Sequence, residues 1–103
     1  VSEPWLSVIG VHEDGLDGLG REARELVATA EVLVGGERLL AMVPPDGRER
    51  LPAPKPITAL IPEIRARRGR RVCVLASGDP MSFGFGGLIA RSFAEGEWRI
   101  LAA

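Results

Sequence analysis

The sequence predicts an α/β domain: three layers, α/β/α, around a mostly parallel sheet. Three observations lead there. Short apolar segments of strand length alternate with segments whose apolar residues recur at helical spacing, along all 103 residues. One strand-length run, Arg71-Val72-Cys73-Val74-Leu75-Ala76, has an unbroken apolar core, as a strand covered on both faces requires. Thirteen glycines and eight prolines supply the turns that so many short elements need.

Taken in order, Trp5-Leu6-Ser7-Val8-Ile9-Gly10 reads as the first strand, stopped by glycine. Residues 15–20 are a loop by composition. Ala23, Leu26, Val27 and Ala30 then fall at i, i+3, i+4 and i+7, with Arg21, Glu22, Arg24 and Glu25 on the other faces, which makes an amphipathic helix. Val32-Leu33-Val34 is a second strand closed by Gly35-Gly36, and residues 37–42 form a short helix that sends Leu39, Leu40 and Val43 to the core.

Pro44-Pro45-Asp46-Gly47 marks a turn, and residues 48–51 a short strand. Pro52, Pro54 and Pro56 keep the next stretch extended or irregular, a rigid connection. Ile57, Leu60, Ile61 and Ile64 have helical spacing, but Pro62 is tolerated only in a first turn, so this helix starts later than its apolar pattern does. After the central strand, Phe85, Leu88, Ile89, Ser92 and Phe93 give a third helical stripe, and Trp98-Arg99-Ile100-Leu101 a last strand. No repeat, low-complexity segment or linker interrupts the chain. Ending on a strand predicts a larger parent protein.

Composition narrows the function. The formal net charge is −1, so no global charge calls for nucleic acid or an anionic membrane. The longest apolar runs are far short of a bilayer span, and residues 1–4 lack the basic and apolar pattern of a signal peptide. The single cysteine, Cys73, excludes an internal disulfide and fits a reducing compartment. The expectation is a cytoplasmic protein without membrane or nucleic-acid partners.

In open α/β sheets, ligands bind beyond the carboxyl ends of the strands. Two loops here leave such ends with unusual composition: residues 10–15 and residues 76–87. In the second, Gly78 permits a sharp turn and close approach to a ligand, and Asp79 offers acceptors for hydroxyls or an amine. Pro80 fixes the turn, Ser82 adds a hydroxyl, and Gly84, Gly86 and Gly87 leave the next helix start bare, as a carboxylate site needs. A simple Gly-Asp-Pro turn with a capping aspartate is the competing reading. The first loop has His12 where a dinucleotide fingerprint needs glycine, and no Walker-type Gly-Lys-Ser/Thr exists. Glu13, Asp14 and Asp17 do not alternate as a calcium loop does, and read as a solvated acidic turn.

One histidine and one cysteine cannot build a tetrahedral metal site. Cys73 reads as core packing, and His12 as a loop residue within reach of a ligand. Arg65, Arg67, Arg68, Arg70 and Arg71 cluster at a helix C-terminus, where positive charge on a solvated face is favourable; a contact to a polycarboxylate or phosphate is the other reading.

Three stretches together resemble the tetrapyrrole methylase family: Ile-Gly-Val-His-Glu-Asp-Gly-Leu-Asp-Gly-Leu at 9–19, Val-Gly-Gly-Glu-Arg-Leu-Leu at 34–40, and Val-Leu-Ala-Ser-Gly-Asp-Pro-Met at 74–81. Their order and spacing fit across almost the whole chain. The third is the most specific, and Gly-Gly-Glu-Arg-Leu-Leu points to the precorrin-6Y C5,15-methyltransferase branch. The resemblance implies S-adenosylmethionine as cofactor and methyl transfer to a carbon of a precorrin on the route to vitamin B12. It implies a cofactor cleft between two α/β domains, so that residues 1–103 are the N-terminal domain, the C-terminal domain is absent, and the chain alone is inactive. It also implies a homodimer. Carried over by position, Ser77, Gly78, Asp79, Ser82 and Glu13 contact the cofactor, and Gly10, His12 and Asp14 line the macrocycle side. Phe83 matches the family's aromatic before the next glycine. The first loop departs from the usual Gly-x-Gly-Pro-Gly-Asp, with His12, Glu13, Asp14 and Gly15 in the last four places, so the family aspartate's role does not carry over. No catalytic residue is assigned: Glu13 and Asp14 are candidate bases by position alone. Arg38 is a candidate partner for substrate carboxylates or a plain surface residue. The alternative function is a non-catalytic α/β module for a small, nucleoside-type ligand.

Overall fold

The computed structural model describes residues 4–11, 18, 20–44, 46–52, 59–77, 89, 91–94 and 96–101. Among the described residues, five strands form one sheet in the order β3-β2-β4-β1-β5: β1 (Leu6–Val11), β2 (Val32–Gly35), β3 (Glu49–Pro52), β4 (Val72–Ser77) and β5 (Trp98–Leu101). Every pairing is parallel. The expected strands are all present, with boundaries moved by a residue or so: β1 runs one residue past Gly10, β4 spans 72–77 rather than 71–76, and β3 takes in Pro52. Pro52 is tolerated because it closes an edge strand, where one side needs no ladder donor.

The helices lie on both faces. Helix α1 (Arg21–Thr29) and helix α2 (Glu37–Leu40) cover one face, where Ala23, Val27, Leu39 and Leu40 pack with Ile9, Leu33, Cys73 and Leu75. Helix α3 (Leu60–Arg65) covers the other, where Leu60, Ile61 and Ile64 pack with Leu6, Val8, Val32 and Val74. Pro62 sits in the first turn of α3, as its missing N–H demands. Ile57 lies outside the described residues. Of the third helical stripe, Ile89, Ser92 and Phe93 are described; Ile89 and Phe93 are buried on the α3 face and Ser92 is half-buried, while Phe85 and Leu88 lie outside. The period-2 alternation of β1 explains the division, because Leu6 and Val8 face α3 whereas Ile9 and Val11 face α1.

Cys73 is confirmed as core: it is 1% exposed, and burial pushes its thiol up to about 12. Of the expected turn, Pro45 lies outside the described residues; beyond it the Asp46 carboxylate accepts the Arg48 backbone N–H at 3.3 Å. Gly47 takes φ +80°, a backbone that L side chains rarely adopt.

Arginines fasten the periphery. Neither α1 nor α2 has a side-chain N-cap, and their C-terminal carbonyls are met by arginines at the start of β3. Arg48 donates to the carbonyls of Val27 and Ala30, at the end of α1. Arg50 donates to Leu40 (2.8 Å), Val43 (3.0 Å) and Pro44 (2.6 Å), at the end of α2. The arginine cluster after α3 lies on a solvated face, with Arg65, Arg68, Arg70 and Arg71 exposed, and Arg65, Arg67, Arg68 and Arg70 make cross-links there. Arg67 pairs with Glu49 at 2.6 Å, Arg70 with Glu49 at 3.1 Å and Glu31 at 3.5 Å, and Arg68 with Glu97 at 2.9 Å. Arg65 donates to the Ser92 carbonyl at 2.8 Å and lies 5.5 Å from the Phe93 ring centroid.

These pairs make stability acid-sensitive. The hydrogen bond from Arg48 holds the Asp46 carboxyl at about 2, below its ordinary 3.8. Arg67 lowers Glu49, and the Ala94 backbone N–H lowers Glu97. A carboxylate depressed in the folded state contributes stability above its unfolded pKa and loses it as pH falls through the folded one. The melting temperature is therefore expected to fall between roughly pH 4 and pH 2. In circular dichroism melts, Asp46→Asn should be less stable than wild type at neutral pH and lose less across that window. An equal loss would remove Asp46 from the account.

Candidate functional site

The carboxyl edge of the sheet has one special place. The connections from β1 through α1 to β2, and from β2 through α2 to β3, run toward the β3 edge on the α1 face. Those from β3 through α3 to β4, and from β4 past Ile89 and Phe93 to β5, run the other way on the opposite face. The chain thus leaves β1 and β4, which are neighbours, in opposite directions. A crevice opens at such a switch point, and ligands of open α/β sheets bind there.

Register sharpens the point. The β1–β4 ladder continues to its end, pairing Ile9 with Leu75, Gly10 with Ala76 and Val11 with Ser77. Val11 and Ser77, the last described residues of the two strands, therefore lie side by side at the edge of the sheet. The two loops singled out by composition, far apart in sequence, start from one spot. Both strands reach it because their interiors are buried: Leu6, Val8 and Ile9 are 0% exposed, and Val74 is 1% exposed.

The expected site residues fall as follows. Gly10 is a buried residue within β1, one before the strand's end. Ser77 is the last residue of β4. His12, Glu13, Asp14, Gly78, Asp79 and Ser82 lie outside the described residues, as does Phe83. Arg38 is exposed on α2, the helix that follows the carboxyl end of β2. Among the described residues no group of three His, Cys, Asp or Glu side chains is placed to hold a metal ion, and no helix is long and apolar enough to cross a membrane.

Two features were not anticipated. A cavity of about 500 Å³ lies at the amino ends of the strands, opposite the switch point, lined among others by Trp5, Ser7, Thr29, Arg71 and Arg99. Its Arg99 guanidinium donates to the Pro4 carbonyl at 3.3 Å and lies 3.7 Å from Glu22. The other feature is the close approach of Gly35 to β4, where a β-carbon would lie 3.0 Å from the Leu75 carbonyl oxygen. The repeated glycine at 35 and 36 was its sequence signal.

Comparison with known proteins agrees with this arrangement. The family model described as Tetrapyrrole (Corrin/Porphyrin) Methylases matches residues 6–103. A precorrin-6Y C(5,15)-methyltransferase [decarboxylating] from Sinorhizobium sp is 45% identical over 107 aligned positions, taking in all of this chain and 25% of that protein. A cobalt-precorrin-7 C(5)-methyltransferase from Salmonella typhimurium is 38% identical over 96, covering 93% of this chain and 48% of that one. The chain thus spans between a quarter and a half of the length of these relatives. Among solved structures, the methyltransferase CobJ superposes with a TM-score of 0.71 at 24% identity, over 96% of this chain and 46% of that one, a likeness of fold. Uroporphyrin-III-C-methyltransferase from Thermus thermophilus superposes with a TM-score of 0.66 at 29% identity, over 95% of this chain and 46% of that one.

Proposed function

The chain belongs to the tetrapyrrole methylase family, and on that footing we propose that it is the N-terminal, cofactor-binding domain of an S-adenosylmethionine-dependent precorrin C-methyltransferase of cobalamin biosynthesis. The observation that carries the reading is the β1–β4 switch point, from which both loops bearing family-like residues depart. A C-terminal domain, absent from these 103 residues, completes the cleft, in keeping with the 46% share of the solved relatives that the chain covers. The protein acts in the cytoplasm as a homodimer on a precorrin of the precorrin-6Y type.

The donor set suits the cofactor. Ser77, Asp79 and Ser82 supply acceptors and hydroxyls for an amino acid moiety and a ribose, Gly78 admits the ligand close to the backbone, and Glu13 closes the site from the first loop. Gly10, His12 and Asp14 face the macrocycle. The bound cofactor supplies a methyl group already activated by the positive sulfonium. What this chain's residues contribute is alignment of donor and acceptor and exclusion of water.

Calorimetric titration with S-adenosylhomocysteine tests the reading. Wild type is expected to bind, and Asp79→Ala to lose about tenfold or more in affinity with its melting temperature unchanged. A folded Asp79→Ala with wild-type affinity would remove Asp79 from the site. Binding that is absent from this chain and from the full-length protein alike would remove the cofactor assignment. Binding without methyl transfer by the full-length protein would favour a small-ligand module.

A further inference from the structure

We propose that Gly35 is a positioning residue for the carboxyl end of β4, Leu75 to Ser77: its missing β-carbon lets the end of β2 lie directly against the backbone of Leu75. An ideal β-carbon at Gly35 would come within 3.0 Å of the Leu75 carbonyl oxygen, 3.3 Å of its Cβ and 3.7 Å of its carbonyl carbon. Two of those atoms are main chain, so no side-chain rotation relieves the contact, and the β4 backbone has to give by a few tenths of an ångström.

Leu75 has little room to do so. Its side chain is 3% exposed and packs with the Ile9, Val11 and Leu33 cluster. On its other side it pairs with Ile9. Displacement at Leu75 is therefore passed along the strand to Ala76 and Ser77. The β2–β4 ladder ends at Val34 with Val74, so Gly35 is the next residue of β2 to face β4 before the chain leaves for residue 78. Conformation is not the reason for glycine here, since the positive-φ glycines among the described residues are Gly47, Gly69 and Gly96. Gly36 supplies the contrast: a β-carbon there meets nothing within 4 Å, and its φ of −64° suits any residue. Of two identical neighbours, one is required by contact and the other is not. As a statement about cofactor binding this rests on the proposed function; as a statement about the path of β4 it does not.

The test uses isotopically labelled Gly35→Ala, Gly36→Ala and Arg50→Ala proteins, read by the amide resonances of Ala76 and Ser77 and by affinity for S-adenosylhomocysteine. Arg50→Ala removes the carbonyl contacts at the end of α2 and serves as a destabilised control on β3, which does not pair with β4. Gly35→Ala is expected to shift both amides and to weaken binding by about tenfold or more, because small misplacements of positioning groups are costly. The two controls should leave amides and affinity in place. Unmoved amides in Gly35→Ala, or movement no larger than in Arg50→Ala, would overturn the proposal, as would moved amides with wild-type affinity. Moved amides in a series where wild type itself fails to bind would sink the cofactor reading and leave the constraint on β4 standing. If Gly35→Ala does not fold, the substitution is repeated with Gly36→Asp, which places a capping carboxylate at the open N-cap of α2.

Discussion

Ile64→Ala is expected to lower the free energy of unfolding by about 2–5 kcal/mol, the range for deleting most of a fully buried aliphatic side chain. Ile64 is 0% exposed and lies with Leu6, Val8, Val72 and Val74 on the α3 face. Helix α3 has six residues, too few to be helical by itself, so it persists through packing. Its apolar anchors are Leu60, Ile61 and Ile64, and Ile64 is in the last turn. Alanine there removes three carbons from a layer whose neighbours are β-strand side chains held in place by the ladder, so the cavity cannot collapse. Against a total of about 5–15 kcal/mol for a domain of this size, the loss is large. Urea unfolding should show an earlier midpoint with little change in slope, and Ile64→Val should cost about 0.5–1.5 kcal/mol. An Ile64→Ala cost no larger than that of Ile64→Val would mean that α3 is not held by this contact.

Arg50→Ala is expected to cost about 1.5–3 kcal/mol, and Arg50→Lys to recover little of it. The end of α2 leaves carbonyls that the helix cannot satisfy. The Arg50 fork meets three of them at once, on Leu40, Val43 and Pro44, and its side chain is 22% exposed. Truncation strips this donor from the Val43 and Pro44 carbonyls and leaves the Leu40 carbonyl with the Val43 N–H alone, and an ammonium cannot present donors in the same plane. Asp46, 3.5 Å away, adds to the cost by losing one of its two arginines. Denaturant melts of the two variants check this. Full rescue by lysine would show that charge alone, rather than the planar fork, holds the turn.

Much of this architecture was legible from local pattern. The unbroken apolar run of β4 and the i, i+3, i+4, i+7 stripe of α1 point to one structure each, and both were found. Pro62 correctly delayed the start of α3, because the restriction on a prolyl nitrogen is local. Strand β3 was fainter: an edge strand with residues Glu49, Arg50, Leu51 and Pro52 buries little, so its apolar signal is weak. The arginine cluster after α3 was harder still. Its partners Glu31, Glu49 and Glu97 come from three other places in the chain, and no local rule relates them.

For the site, the sequence by itself singled out two loops as candidates, through glycine, aspartate and serine placed after buried strands. Only the tertiary structure decided that the strands before them, β1 and β4, end side by side. That requires β4 to insert beside β1 in the order β3-β2-β4-β1-β5, with crossovers on opposite faces. Strand order is set by which buried faces pack against which helices, a property of pairs of elements rather than of any one. The same reason separates Gly35 from Gly36. The letters are identical, and what distinguishes them is a carbonyl oxygen forty residues away in the sequence and 3.0 Å from where a β-carbon would stand.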